Sequence, residues 1–172
     1  LKMKDNNKFV IAVYVDNRFG VLTRVTSMFT RRGFNIDTLT VGETESPEYS
    51  RITISLSGDG YAKEQLLNQL RKLHNVKKLE ILDDEEQIIK RELMLIKIKN
   101  TSQTRADVMA AVQVYRAKII DFTTEAMCIE VTGSSDKIDA FIKVMLPMGI
   151  IEMCRTGVVA LERGGANLLE KE

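Results

Sequence analysis

The chain predicts an α+β protein made of two consecutive ferredoxin-like βαββαβ units, and three observations carry that reading. Apolar periodicity alternates between two and about 3.6 residues in the order strand, helix, strand, strand, helix, strand, and the series then repeats. A solvated charge run, Asp83–Gln87 (DDEEQ), separates the two series. The 172 residues accommodate two units of roughly 75–85 residues each, near the lower edge of comfortable stability. The resulting boundaries are 8–83 for the first unit, 84–90 for an acidic linker and 91–165 for the second unit.

Phe9–Val15, FVIAVYV, is a β-branched and aromatic run suited to a strand buried on both faces. Val21, Leu22, Val25, Met28 and Phe29 then recur as one stripe of an amphipathic helix. Arg31 and Arg32 complement the negative end of that helix, and Gly33 suits a left-handed C-cap. Phe34–Val41 is the second strand. Gly42–Tyr49, with Glu43, Glu45, Glu48 and Pro47, reads as an exposed hairpin loop. Ser50–Ser57 alternates strictly, placing Ile52, Ile54 and Leu56 on one face and Arg51, Thr53, Ser55 and Ser57 on the other. Asp59 is placed to cap a helix whose stripe is Leu66, Leu70 and Leu73, and Val76–Leu82 closes the unit as a fourth strand. Strands arriving as two halves suit an antiparallel sheet with both helices on one face.

The second series reads as a strand at Leu93–Ile98 and a helix over Thr104–Ala117, followed by strands at Ile119–Thr123 and Met127–Thr132. A helix over Ser134–Leu146 presents Ile138, Phe141, Ile142 and Met145 on one face, and Ile150–Leu161 supplies the last strand material. Arg163–Glu172 is polar with paired glycines and reads as a fraying end.

Composition narrows the function classes. A net charge of +1 argues against a nucleic-acid protein driven by a broad basic face. The apolar runs are too short to span a membrane, and residues 1–8, LKMKDNNK, show no signal-peptide pattern. Cys128 and Cys154 imply no disulfide framework, so a reduced cytoplasmic setting is the default, and both read as small buried hydrophobes. The eight methionines fall at core-like positions. His74, the single histidine, sits at a helix end and reads as a capping or surface residue. No His/Cys/carboxylate cluster has metal-ligand spacing, and no G-x-S-x-G, P-loop or G-x-G-x-x-G follows a strand. No catalytic and no metal-binding residue is expected, which agrees with a binding or regulatory module.

The stretch most suited to a ligand is the turn before the first helix. Asp16, Asn17 and Gly20 gather where free backbone N–H groups and the positive end of the helix dipole can hold a carboxylate. Asn35 opens the next strand and is expected near the same turn. Two side-chain amides and a helix N-terminus would together grip the zwitterionic end of an amino acid. The same residues would also serve as an ordinary tight turn with a capping residue. The corresponding turn of the second unit, Asn100–Thr104 (NTSQT), lacks the glycine, so it is not expected to bind the same ligand in the same way.

Beyond pattern, the wording of the sequence resembles a known family. The blocks are N-x-x-G-V-L at Asn17–Leu22, F-x-R-R-G-F-N-I at Phe29–Ile36 and the acidic turn into Ser50–Arg51. Further on come R-E-L-M-L-I-K-I at Arg91–Ile98, D-A-F at Asp139–Phe141 and R-T-G-V-V-A-L-E-R-G at Arg155–Gly164. In this order they resemble the small, regulatory subunits of acetolactate synthase (acetohydroxyacid synthase), whose first unit is an ACT domain. The resemblance implies a non-catalytic subunit of a thiamine-diphosphate-dependent transferase. The large subunit would carry thiamine diphosphate, FAD and magnesium and condense pyruvate with a second 2-oxo acid, with no cofactor in this chain. The small subunit would activate it and impose feedback inhibition by a branched-chain amino acid, usually valine, in valine, leucine and isoleucine biosynthesis. On the family pattern Asn17, Gly20, Val21, Leu22, Asn35 and Ile36 form the effector site, in a pocket between paired ACT units of a homodimer. Phe19 is bulkier than the turn needs, which bears on pocket size. The alternative is a stand-alone amino-acid-sensing ACT module acting on another partner. An RNA-binding sheet is disfavoured, because Ser50–Ser57 shows aliphatics and hydroxyls with one arginine in place of stacked aromatics.

Overall fold

The computed structural model describes residues 8–84, 86–165 and 167–170, so residues 1–7 of the opening segment, 85 of the charge run, and 166 and 171–172 of the closing segment lie outside the described residues. Two compact units emerge, Leu1–Ile89 with Val158–Glu172, and Lys90–Gly157. The elements are β1 (Lys8–Asp16), α1 (Val21–Arg31), β2 (Ile36–Glu43), β3 (Tyr49–Ser57), α2 (Gly60–Leu70) and β4 (Val76–Ile81). They continue as β5 (Ile88–Lys99), α3 (Arg105–Val114), β6 (Lys118–Phe122), β7 (Ala126–Gly133), α4 (Ser135–Met145), β8 (Ile150–Arg155) and β9 (Val159–Glu162).

In the first unit the strand order is β2-β3-β1-β4, with every neighbouring pair antiparallel. One face of this sheet carries Ile11, Val13, Ile52, Ile54 and Leu56, packed against Val25 and Phe29 of α1 and Leu66 and Leu70 of α2. Burial of each such side chain contributes about 1.5–3 kcal/mol. Asp59 caps α2 as its position predicts, its Oδ1 accepting from the Ala62 N–H at 2.7 Å. Gly33, just past α1, has φ +69° and so takes the left-handed conformation that ends the helix.

The back of the same sheet is also covered. Val10, Ala12 and Tyr14 are buried with Leu82, Ile88, Val158, Ala160 and Leu168, so the closing segment of the chain supplies the second layer that the run FVIAVYV requires. The hydroxyl face of β3 is therefore not open to water: Thr53 and Ser55 are 4% and 8% exposed, Thr38 and Ser55 share a 2.6 Å hydrogen bond, and Arg51 Nη2 donates to the Ala160 carbonyl at 2.6 Å.

This packing moves a domain boundary. Val158–Glu172 belongs with the first unit, whereas the sequence places residues up to 165 in the second, because a strand-like run next to Ile150–Arg155 gives no sign of which sheet it covers. Residues 88–90, placed in the linker, already belong to β5. Nor does the end simply fray: the paired glycines form a turn after which Leu168 is buried, 8% exposed.

The second unit repeats the strand order as β6-β7-β5-β8, and its helix-side core gathers Met94, Ile96, Ile98, Val108, Ile129, Val131, Ile138 and Phe141. Three family-like blocks meet here. Arg155 donates from Nε and Nη2 to the Glu92 carboxylate at 3.1 and 2.7 Å and from Nη1 to Asp139 at 2.7 Å. Glu92 is 2% exposed, and its hydrogen bonds, helped by Asp139, raise the Arg155 guanidinium above its ordinary value. The cysteines depart from expectation: Cys128 is half-buried and Cys154 exposed, because Cys154 alternates away from the helices on β8, an edge strand. Met109 and Met153 are likewise exposed, while Met94, Met127 and Met145 are fully buried.

Candidate functional site

The turn joining β1 to α1 is built around a glycine that lacks steric neighbours. The Arg18 N–H donates to the Asp16 carbonyl at 2.9 Å and the Val21 N–H to the Arg18 carbonyl at 3.3 Å. Gly20 follows at φ +80°, a conformation that disfavours side chains, and a Cβ placed there would meet nothing within 4 Å. No side chain caps α1 and its first turn holds no acidic residue. The positive end of the helix dipole is thus uncompensated and sterically open, a geometry that accepts a carboxylate.

Asn17 is pinned to the β2–β3 hairpin. Its backbone N–H donates to the Glu48 carbonyl at 2.8 Å and its Nδ2 to the Pro47 carbonyl at 3.1 Å. Among the described residues nothing hydrogen-bonds its Oδ1, and the residue is exposed. Val21 is 5% exposed and sits in the core, so its side chain is closed to a ligand, and its N–H already meets the Arg18 carbonyl. Leu22 is 41% exposed and Phe19 fully so, leaving two apolar side chains at the mouth of the turn.

Asp16 is already engaged. Lys77 Nζ lies 3.1 Å from its Oδ1, and Asn75 Nδ2 donates to its Oδ2 at 3.1 Å. The Lys77 hydrogen bond, followed by that of Asn75, holds the Asp16 carboxyl below its ordinary value. Asn75, 7% exposed, in turn accepts from Arg24 Nη1 at 2.9 Å through its Oδ1. Asp16 is therefore a support that orients Asn75 and, through it, Arg24 beside Gly20. Sequence reasoning did not find Asn75 or Arg24, and no local signal could have: Asn75 is 59 residues from Asp16.

Asn35 is not brought to this turn within one chain. In the sheet Phe9 and Ile36 both stand level with Leu56, and Asp16 stands level with Tyr49. The end of β1 and the start of β2 are therefore at opposite ends of the sheet, on the order of 20 Å apart at the usual strand rise. The cause is the crossover: α1 runs back along the sheet, so Asn35 follows its C-terminus while Asn17 precedes its N-terminus. Asn35 instead opens on a groove of about 520 Å³ with Phe34, Ser57, Tyr61 and Gln65. Ile36 is half-buried and packs on the core. Gly20 lies at one end of a second groove, about 480 Å³, between α1 and α2. No group of three or more His, Cys, Asp or Glu that could hold a metal ion occurs among the described residues.

With this geometry in place, the likeness to known proteins is extensive. The family model "AHAS small subunit-like ACT domain" matches residues 11–78, and "Small subunit of acetolactate synthase" matches residues 91–164. The acetolactate synthase small subunit of Mycolicibacterium smegmatis is 44% identical over 154 residues, covering 90% of each chain. A probable acetolactate synthase small subunit of Archaeoglobus fulgidus is 43% identical over 157 residues, covering 91% of this chain and 98% of that one. The crystal structure of the acetolactate synthase small subunit from Thermotoga maritima superposes with a TM-score of 0.85 at 37% identity, covering 92% of this chain and 99% of the other.

Proposed function

The chain belongs to the acetolactate synthase small-subunit family, and from that premise we propose that it activates a catalytic large subunit and makes it sensitive to a branched-chain amino acid, with valine the first candidate. The effector is held by the first unit. Its carboxylate rests on the backbone N–H groups of the first turn of α1 beyond Val21, whose own N–H already meets the Arg18 carbonyl, and Asn17 offers its free Oδ1 to the ammonium group. The observation that carries this reading is the uncapped, sterically open start of α1.

The opposite placement of Asn17 and Asn35 makes this a site of two chains. β2 is an edge strand, and an unpaired edge favours pairing with a second copy. A two-fold axis that sets two β2 edges antiparallel reverses one sheet end for end. The start of one β2 then reaches the end of the sheet where Asn17 and Gly20 of the other protomer stand. Each pocket comprises Asn17, Gly20, Val21 and Leu22 from one protomer and Asn35 and Ile36 from its partner, and the exposed Phe19 is covered. Thiamine diphosphate, FAD and magnesium belong to the large subunit in this reading, and the site of action is the cytoplasm.

Calorimetry and sedimentation on the purified chain test it. Valine should bind once per protomer, and the protein should sediment as a dimer at micromolar concentration. Added to a large subunit, the chain should raise turnover of pyruvate, and valine should then lower it. A chain that is monomeric with valine bound, or that leaves the large subunit unaffected, would favour a stand-alone sensor.

A further inference from the structure

The groove between α1 and α2 carries a charge pattern that effector binding does not use. It is lined by Arg24, Arg31, Arg32 and Lys72, with no Asp or Glu among its lining residues. The four cations are exposed, while Met28 and Leu73 between them are half-buried and form an apolar floor. Among the described residues none of the four pairs with a carboxylate. Two of them are instead held by neutral amides: Arg24 by Asn75 at 2.9 Å and Arg32 by Gln69 at 3.0 Å. An amide acceptor fixes a guanidinium without neutralising it, so the positive field of the groove stays intact.

This is a segregation of charge and not a basic protein. The chain as a whole is +1, yet residues 17–36 hold four arginines and no acid, and residues 65–79 hold four Lys or Arg and no acid. The cations are also spread along the groove. Arg24 and Arg31 are seven residues apart on one helix, about 10 Å at the helical rise, too far to converge on one phosphate. Cations along a rim with an apolar floor between them match a segment that alternates carboxylates with aliphatic side chains.

We infer that the α1–α2 groove is the docking surface for an acidic, amphipathic segment of the catalytic large subunit. This rests on the regulatory-subunit reading above. Because Gly20 lies at one end of the same groove, a chain seated there contacts the helix whose N-terminus holds the effector, which places the effector and the partner on one rigid element.

The test uses the full chain and its large subunit. In R31E/K72E both substitutions are exposed and lie away from the effector turn, and R91E/K143E in the second unit is the charge-matched control. Affinity for the large subunit is measured at low and high salt, alongside valine affinity and sedimentation of the chain alone. We expect R31E/K72E to weaken association at least about tenfold at low salt and to flatten its salt dependence, with valine affinity and dimerisation unchanged and the control near wild type. Equal loss in the control, loss of the dimer, or association indifferent to R31E/K72E would overturn the inference. So would tripolyphosphate binding to wild type but not to the variant while association stays intact, which would mark a small-molecule site. Failure of the wild-type chain to associate at all would remove the regulatory reading along with this one, whereas indifference of association to the variant removes only this one.

Discussion

Asn17 and Asn100 occupy the same place in two sheets of the same strand order, each directly after the central strand that the helix then leaves. Both backbone N–H groups donate to a hairpin carbonyl, of Glu48 at 2.8 Å and of Glu125 at 2.9 Å. Both side-chain amides donate to a hairpin carbonyl as well, of Pro47 and of Thr123. Beyond that the two turns diverge. Asn100 is 7% exposed, its Oδ1 accepts from Arg105 Nε at 2.7 Å, and the Thr104 N–H is taken by the Thr101 hydroxyl at 3.2 Å. Among the described residues the equivalent acceptor of Asn17 is unused, and no side chain caps the helix that follows. The second turn spends its polar groups on its own fold, where satisfied buried groups stabilise. The first leaves an acceptor open, so one scaffold supports both a closed and an open turn.

The backs of the sheets differ in the same spirit. In the first unit Val10, Ala12 and Tyr14 need the cover that Val158, Ala160 and Leu168 provide. In the second the corresponding face carries ion pairs, Lys97 with Glu152 at 3.3 Å and Lys118 with Glu130 at 3.8 Å, which tolerate water. Ending the chain after Gly157 should therefore break the first unit selectively. Removing the buried Val158 and Leu168 side chains, with Ala160, should cost about 4 kcal/mol of unfolding free energy, read as a lowered urea midpoint. An unchanged midpoint would mean that the closing segment is not part of the first unit's core.

Gly20→Asp attacks the open turn directly. A negative side chain would stand where the carboxylate arrives, weakening valine binding by about 3 kcal/mol, or about a hundredfold. The positive φ of Gly20 adds strain of about 1 kcal/mol to the fold, but no atom lies within 4 Å to be displaced, so the protein should remain folded. In the reconstituted enzyme activation should persist and feedback inhibition vanish. Normal valine affinity in the folded variant would remove this turn from the effector site.

The paired substitutions Asn17→Ala and Asn100→Ala sharpen the contrast. Asn17→Ala should lower valine affinity by about 1.5 kcal/mol with a smaller change in melting temperature, since an exposed residue loses one internal hydrogen bond. Asn100→Ala should do the reverse, lowering stability by about 2 kcal/mol by removing the two side-chain hydrogen bonds of a buried residue, with valine affinity unchanged. Titration calorimetry and thermal melts on both variants check the reversal. Similar profiles for the two would mean that the turns are not functionally distinct.

The sequence made the elements legible because each unit obeys its own periodicity: the stripe Val21–Phe29 and the alternation Ser50–Ser57 need no distant partner to be read. The glycine at the start of α1 was legible for the same reason, as its backbone demand is local. What was not legible depended on contacts across the chain. Nothing in Val159–Glu162 states which sheet it covers, Asn75 meets Arg24 only after the sheet forms, and the distance between Asn17 and Asn35 follows from strand direction. Their nearness in a one-dimensional reading came from a turn and a strand start separated by a helix, and the helix is what carries them apart.

The smallest predicted effect concerns the support beneath the turn. Lys99 and Gly149 stand in the second unit where Asp16 and Asn75 stand in the first, since the Lys99 N–H donates to the Gly149 carbonyl at 2.9 Å as the Asp16 N–H does to Asn75 at 3.0 Å. The carboxylate network is thus particular to the first unit. Lys77, then Asn75, hold the folded Asp16 below its ordinary value, so Asp16 binds a proton less readily in the folded state than in the unfolded one. Its contribution to stability is therefore present above the unfolded carboxyl value, about 3.9, and is lost as pH falls through the lower folded value. Asp16→Asn removes that contribution. Its urea midpoint should fall slightly below wild type at neutral pH, and the gap should close in acid. Salt should narrow the gap as well, because Lys77 is partly exposed. A gap that stays constant from neutral pH into strong acid would mean that the ion pair adds nothing, and that Asp16 serves the turn only by holding Asn75 in place.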